Sequence, residues 1–401
     1  MKVLFVSTIY APYHLGGAEI STKLLAEGLA LKNSMEISVL THGKEDKIEN
    51  CNNVFVIRKN YGIASKMIFN RCEHKKSKIT DKIVGKVPDI FRKESLIAFY
   101  KELFKEFDVV ILSGNCANMG RRNIWIAAGK SKVKSIQILR DPILLYLKDC
   151  RPSRWSMADY LYRMLSFRDN CYIDYTVAPT KALIEIHKKA GMKFNREKVI
   201  PNAVDDKMCM EIPYSDKKTV IYVGAISKRK GCHTLIKAFE ELHRDISDCR
   251  LKLIGPVEDV EIPEKNYIEA YGYMDIQEVY RNIAEAKLLV LPSEWEEAFG
   301  RVIIEAVYNH TIAIGSNRGG IPEIFGRYKE FVFKSGEYKE LYGCMKKIME
   351  LDQIAYERKL KELLTEFERF RIENHIEQWK VFLEDEVMGE IKDESIFRTK
   401  L

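Results

Sequence analysis

What the sequence lacks narrows it first. No run approaches the roughly 18 apolar residues that a membrane-crossing helix needs, so no segment is expected to span a bilayer. The nine cysteines (51, 72, 116, 150, 171, 209, 232, 249 and 344) never form C-x-x-C, which excludes a zinc ribbon and a thioredoxin-like site. An odd count in a chain of 401 residues fits reduced cytosolic thiols rather than a disulfide framework. There is no G-x-x-x-x-G-K-[ST] phosphate loop and no G-x-G-x-x-G dinucleotide fingerprint. No D-x-D tripeptide, low-complexity tract or solenoid-period repeat occurs either. The opening "MKVLFVSTIYAPYHLGG" has only a few apolar residues before Pro, Tyr and His. It therefore reads as a buried strand rather than a signal peptide.

What is present is a globular composition, with 46% hydrophobic residues and a net charge of +7. The charge is uneven. Between Arg58 and Lys105 there are 13 Lys/Arg against 5 Asp/Glu, and that excess of 13 − 5 = 8 accounts for the whole surplus. The segment reads either as a solvated Lys-rich helical insertion or as a surface for anionic lipid headgroups or an acidic substrate. A nucleic-acid role is discounted, because the cations are not interleaved with a recognisable module.

Short apolar runs alternate with helical spacing. "KVLFVS", "EISVLT", "VFVIR", "DVVILS", "KSIQIL", "IDYTVAPT" and "KVIPNAV" are strand candidates in the first half. The pattern restarts with "KTVIYVG", "RLKLIG", "YIEAYG", "KLLVLPS" and "TIAIGS". Apolar strands alternating with helices predict parallel sheets covered on both faces. The expected architecture is α/β, with two doubly wound units joined near residues 201–218. Ligands of such sheets bind outside the carboxyl ends of the strands, so the informative loops follow strands.

Three of those loops carry chemistry. Gly16-Gly17 follow the first strand and open a helix, which either makes a tight turn or lets a ligand approach free N–H groups. "GAISKRKG" places Lys228, Arg229 and Lys230 just before a glycine and a helix. It reads as a solvated basic turn or as a pyrophosphate site, with Lys230 exposed for a ligand. "LPSEWEEAFGRVIIEAV" ends a strand and starts a helix at Gly300 with no evident side-chain cap. Glu305 lies among apolar residues and needs donors, supplied either by sugar hydroxyls or by Arg301 one turn earlier. Glu294 and Glu296 read as solvated acids. "GSNRGGIPE" adds another backbone-donating turn at Gly319-Gly320.

Taken in order, "GGAE" (16–19), "VIPNAVD" (199–205), "YVGAISKRKG" (222–231), "LPSEWEEAFGRVIIEA" (291–306) and "GGIPE" (319–323) resemble a GT-B-fold glycosyltransferase. More narrowly, they resemble the family 4 retaining nucleotide-sugar transferases. The glutamate spacing Glu297 to Glu305 matches that family's E-x7-E motif. The resemblance implies two Rossmann-like domains facing a central cleft. An acceptor-binding domain would span 1–204 and a nucleotide-sugar-binding domain 205–380, with a C-terminal helix in 381–401 packing back on the first.

The resemblance also implies roles. Lys230, Glu297 and Arg229 would be catalytic, with Lys230 on the departing pyrophosphate and Glu297 beside the donor sugar. Glu305 would hold the ribose hydroxyls, and the amides of Phe299, Gly300 and Arg301 would meet sugar and phosphates. Gly16, Gly17 and Lys228 would line the phosphates, and Tyr273 and Met274 would cradle the base. No metal or other cofactor is implied; the donor would be a UDP- or GDP-linked sugar. The acceptor would be a glycan or lipid-linked glycan, in the cytoplasm or at the inner face of the membrane, with 58–105 as the contact. Two positions depart from the family. Ala225 stands where many members carry an arginine, and "ILRDP" stands where a histidine is common, leaving Arg140 or Asp141 in its place. These departures keep open a non-catalytic nucleotide-sugar-binding partner and a nucleotide-sugar 2-epimerase of the same fold.

Overall fold

A computed structural model describes residues 1–13, 16–32, 34–73, 92–131, 133–142, 164–165, 167–206, 209–210, 212 and 218–389. The chain forms two compact units. The first comprises Met1–Pro201 with the return from Glu373, and the second is Asn202–Ile372. The crossing thus falls before Asn202 rather than after 204, and 373–380 belong with the first unit rather than the second.

The first unit holds an eight-stranded sheet in the order β3-β4-β2-β1-β5-β6-β7-β8. Its strands are β1 (Lys2–Ser7), β2 (Glu36–His42), β3 (Lys47–Cys51), β4 (Val54–Lys59), β5 (Val109–Ser113), β6 (Lys134–Ile138), β7 (Tyr175–Ala178) and β8 (Glu197–Val199). Only β3 runs antiparallel to its neighbour. The central strands are nearly all apolar because helices cover both faces, and β1 and β5 are almost wholly buried. β3 reads KIENC, a largely exposed edge strand whose short polar sequence the apolar-run criterion passes over.

The second unit holds a six-stranded parallel sheet, β11-β10-β9-β12-β13-β14. Its strands are β9 (Thr219–Val223), β10 (Arg250–Ile254), β11 (Ile268–Tyr271), β12 (Leu288–Leu291), β13 (Ile312–Ser316) and β14 (Val332–Phe333). With the edge strands β3 and β8 set aside, both sheets share one winding: third, second, first, fourth, fifth, sixth. Strand order therefore reverses between β1 and β5 in one unit and between β9 and β12 in the other. A doubly wound sheet binds its ligand outside the carboxyl ends at that reversal.

The chain end completes the first core. Trp379, Phe382, Leu383 and Val387 pack with Val3 and Phe5 of β1, Ile111 of β5 and Tyr175 of β7. Each such side chain is worth about 1.5–3 kcal/mol when fully buried. Gly28 makes room for this return: a Cβ there would lie 2.1 Å from Ile376 Cδ1. The expected packing of a C-terminal helix on the first domain begins earlier than 381, within the helix Ile372–Val381.

The basic segment is not uniformly a surface. Arg58 is buried in β4, where its Nε donates to Glu49 and its Nη2 to the Ala11 carbonyl. Lys59 pairs with Asp46. Residues 74–91 of that segment lie outside the described residues. Among the described residues eight cysteines are free, and no helix is long and apolar enough to cross a membrane.

Candidate functional site

The reversal point of the second sheet collects most of the residues singled out by sequence. After β9 the chain makes a single 3-10 turn, Lys228–Lys230, and reaches Gly231 at φ 72° before the helix Cys232–Asp245. After β12 it makes the loop 292–300 and reaches Gly300 at φ 103° before the helix Arg301–Tyr308. Glycine is required at both points, since a side chain in that left-handed region is strained. Neither helix has a side-chain cap, so its first N–H groups are left to other acceptors. The two loops are in contact: a Cβ on Gly231 would sit 1.9 Å from the Pro292 carbonyl oxygen, and the Glu294 amide donates to the Arg229 carbonyl at 3.1 Å.

Lys230 and Glu297 meet across this contact. Lys230 Nζ lies 2.5 Å from Glu297 Oε1, with side chains only 21% and 15% exposed. The lysine expected to stand exposed is instead drawn into an ion pair with Glu297. Ser293, fully buried, places its hydroxyl 2.8 Å from the same Oε1. The third loop is locked on from the other side. The Gly319 amide donates to the Glu296 carboxylate at 2.9 Å and the Gly320 amide to the Glu297 carbonyl at 2.7 Å.

Glu294 and Glu296 are therefore not merely solvated acids. Glu294 accepts from the Thr234 hydroxyl at 2.7 Å, and Glu296 ties down the glycine turn while facing Arg318. They staple the loop that carries Glu297. Glu305 takes the intrahelical option: Arg301 Nη2 donates to its Oε1 at 2.9 Å and Nε at 3.2 Å. The pair is not on a solvated face, as its side chains are 16% and 12% exposed. Burial first, and then the charges of Glu305 and Asp206, push the Cys209 thiol up to about 12. Burial also raises the Cys232 thiol, so neither cysteine is a ready nucleophile.

The remaining predicted residues fall less centrally. The Phe299 side chain is buried edge-on against Phe370 at 5.5 Å, so only its backbone can face a ligand. The Lys228 amide is occupied by Asp259 at 2.8 Å, and Arg229 lies 3.7 Å from Glu258 on the surface. Tyr273 and Met274 follow the edge strand β11. Tyr273 is 73% exposed, while Met274 is half-buried and its Sδ accepts from the Asn282 amide. Ala225 offers only its carbonyl, which accepts from Tyr222 OH at 2.8 Å.

Gly16 and Gly17 belong to the first unit and its own reversal point. Gly16 has extended backbone, and beyond its chain neighbours a Cβ there would meet only Glu19, at 3.8 Å. No N-cap side chain bonds the start of the helix Gly17–Ala30, but the Glu19 carboxyl accepts there from the amides of Glu19 and Gly16. Arg140 follows β6 and reaches the Ser113 hydroxyl at 3.3 Å, which in turn lies 2.6 Å from Thr22 Oγ1. Burial raises the Glu19 carboxyl, and its backbone hydrogen bonds and the Arg140 charge work against the rise. Asp141 is exposed beside it.

Comparison with known proteins agrees with this geometry. Residues 210–364 match the family described as "Glycosyl transferases group 1". The sucrose-phosphate synthase of Thermosynechococcus elongatus superposes with a TM-score of 0.68 at 14% identity, covering 99% of each chain. Anabaena HepE, solved in complex with UDP, gives 0.66 at 17% identity, covering 96% of this chain and 100% of its own. The solved structures share the two-domain GT-B fold, and the family match lies within the second unit, over residues 210–364. In sequence the chain is similar to an "Uncharacterized 42.6 kDa protein in cps region" of Klebsiella pneumoniae, 24% identical over 81% of this chain and 87% of that one. A 2-deoxystreptamine N-acetyl-D-glucosaminyltransferase of Niallia circulans is 27% identical over 39% and 43%.

Proposed function

We propose that the protein is a family 4 retaining transferase. It moves a hexose from a nucleotide diphosphate sugar, UDP- or GDP-linked, to a hydroxyl of a glycan or lipid-linked glycan acceptor. The carrying observation is the Lys230–Glu297 pair at the strand-order reversal, between two helix starts that have no side-chain cap. Similarity to proteins named for capsular polysaccharide and teichuronic acid biosynthesis supports polysaccharide synthesis as the setting.

Breaking the bond from sugar to diphosphate builds negative charge on the leaving group. Lys230 leaves Glu297 for that charge, and Arg229 and the helix N–H groups add to it. Glu297 is thereby released toward a sugar hydroxyl. Glu305, oriented by Arg301, accepts from the ribose. Lys228 and the amides of Phe299, Gly300 and Arg301 bind phosphate and sugar oxygens, Gly16 and Gly17 are assigned to phosphate, and Tyr273 and Met274 bracket the base. Arg140 or Asp141 takes the place of the family's histidine. The acceptor hydroxyl gives its proton to the departing phosphate on the same face, which retains the anomeric configuration. Segment 58–105 is assigned to contact with a membrane surface carrying the acceptor.

Losing one donor to a developing charge raises a barrier by about 2.7–4 kcal/mol. Lys230→Ala is expected to lower turnover by roughly 10²–10³-fold. Donor turnover is measured on a panel of nucleotide sugars, with anomeric configuration read by NMR. Near-normal turnover in Lys230→Ala, or inversion at the anomeric carbon, refutes the mechanism.

A further inference from the structure

The two oxygens of Glu297 are treated unequally. Oε1 accepts from both Lys230 Nζ at 2.5 Å and the Ser293 hydroxyl at 2.8 Å. Oε2 accepts no hydrogen bond from any described residue. The carboxylate is thus anchored by one oxygen and presents the other.

Ser293 is itself tightly fixed. It is fully buried at the end of β12, and its carbonyl accepts from the Ser316 hydroxyl at 2.6 Å and the Ser335 hydroxyl at 3.1 Å. The Trp295 amide approaches its Oγ at 3.3 Å, close enough to donate to a lone pair. The serine proton has two acceptors in reach, Glu297 Oε1 at 2.8 Å and the Trp295 carbonyl at 3.2 Å. The shorter, charge-assisted contact takes it. A hydroxyl so placed holds one rotamer of Glu297 without needing a net charge.

The geometry points to Ser293 as a positioning residue that keeps Glu297 aimed when Lys230 leaves. This rests on the reading of Lys230 and Glu297 given above. Lys230 and Ser293 share the anchoring of Oε1. Without Ser293, a partly buried carboxylate would be left with no donor on that oxygen once the lysine turns to a diphosphate, which is costly. Ser293 is the donor that remains. It holds Oε1 so that Oε2 accepts a hydroxyl of the donor sugar, rather than swinging after the departing lysine.

The test is a double-mutant cycle of Ser293 and Glu297, with Ser293→Cys as a second variant that keeps the side-chain shape at a slightly larger volume but donates weakly. Donor-sugar kcat and KM are measured for Ser293→Ala, Ser293→Cys, Glu297→Gln and Ser293→Ala/Glu297→Gln, with thermal unfolding as the folding control. Ser293→Ala is expected to lower kcat about tenfold with KM little changed, and Ser293→Cys to fall between it and the parent. In the Glu297→Gln background the serine change is expected to cost less than threefold, because there is no longer a charge to hold. A full tenfold loss in that background overturns the positioning role and leaves Ser293 merely structural. Near-normal turnover of Glu297→Gln alone overturns the Glu297 role, and with it the reading beneath.

Discussion

At the scale of single residues, the glycines between loops are the most exacting positions. Gly231 combines φ 72° with a Cβ path blocked by the Pro292 carbonyl at 1.9 Å. A left-handed non-glycine residue costs roughly 1–2 kcal/mol, and forced overpacking roughly 1–3 more. Gly231→Ala is therefore expected to destabilise the second unit by roughly 2–5 kcal/mol, seen as a lower midpoint in thermal unfolding. An unchanged midpoint would show that the two loops separate freely. The sequence already marked Lys230, Glu297 and Glu305, because their spacing and flanks carried a family pattern. It did not mark Ser293 or the stapling roles of Glu294 and Glu296. Their partners, Thr234 and Gly319, are distant in sequence, and no periodicity relates them.

At the scale of elements, helix starts differ in capping, and uncapped starts are not confined to the site: Ile63–Cys72, Glu94–Phe104, Arg121–Gly129 and Tyr338–Met349 also have no side-chain cap. The helices Lys181–Lys189, Ile276–Ala284 and Gln353–Phe367 are capped by Thr180, Asp275 and Asp352, whose side chains accept from backbone N–H groups. The helices at the reversal points begin at Gly16, Gly231 and Gly300 with no side-chain cap. At the first of these the Glu19 carboxyl accepts from the amides of Glu19 and Gly16. Asp352→Ala is expected to cost about 1 kcal/mol in stability with donor turnover unchanged, measured by denaturant unfolding and by assay. Turnover falling in step with stability would show that this helix contributes to the site. Apolar runs of five or six residues made the central strands legible. β3 and the two-residue β14 were not, because one is a polar edge and the other is too short to show a pattern.

At the scale of the whole molecule, buried histidines set an acid limit. Burial lowers His42 to about 3, His187 to about 4 and His375 to about 3, all in the first unit. Unfolded, each would titrate near 6.5, so below that pH the unfolded chain binds more protons. Their contribution is fully present above about pH 6.5. It is lost progressively as pH falls toward 3–4, each ring giving up about 1.4 kcal/mol for every pH unit in that window. Thermal midpoints are expected to fall steadily from pH 7 to pH 5. A flat profile would mean that these rings reach solvent in the folded state. The paired winding of the two sheets was legible as a pattern that restarts, whereas the place where the chain returns to its first unit was not. The helical spacing runs on through 352–389 without a break, and only the burial of Trp379 and Phe382 shows which core it serves.

The closeness of Gly231 to Pro292 has a consequence for exchanging parts between relatives. The loop bearing the lysine and the loop bearing the glutamate behave as the two halves of one moulded piece. A graft that carries only one of them into a related enzyme inherits a mismatched seam, and a change of donor preference by loop transfer has to move both together.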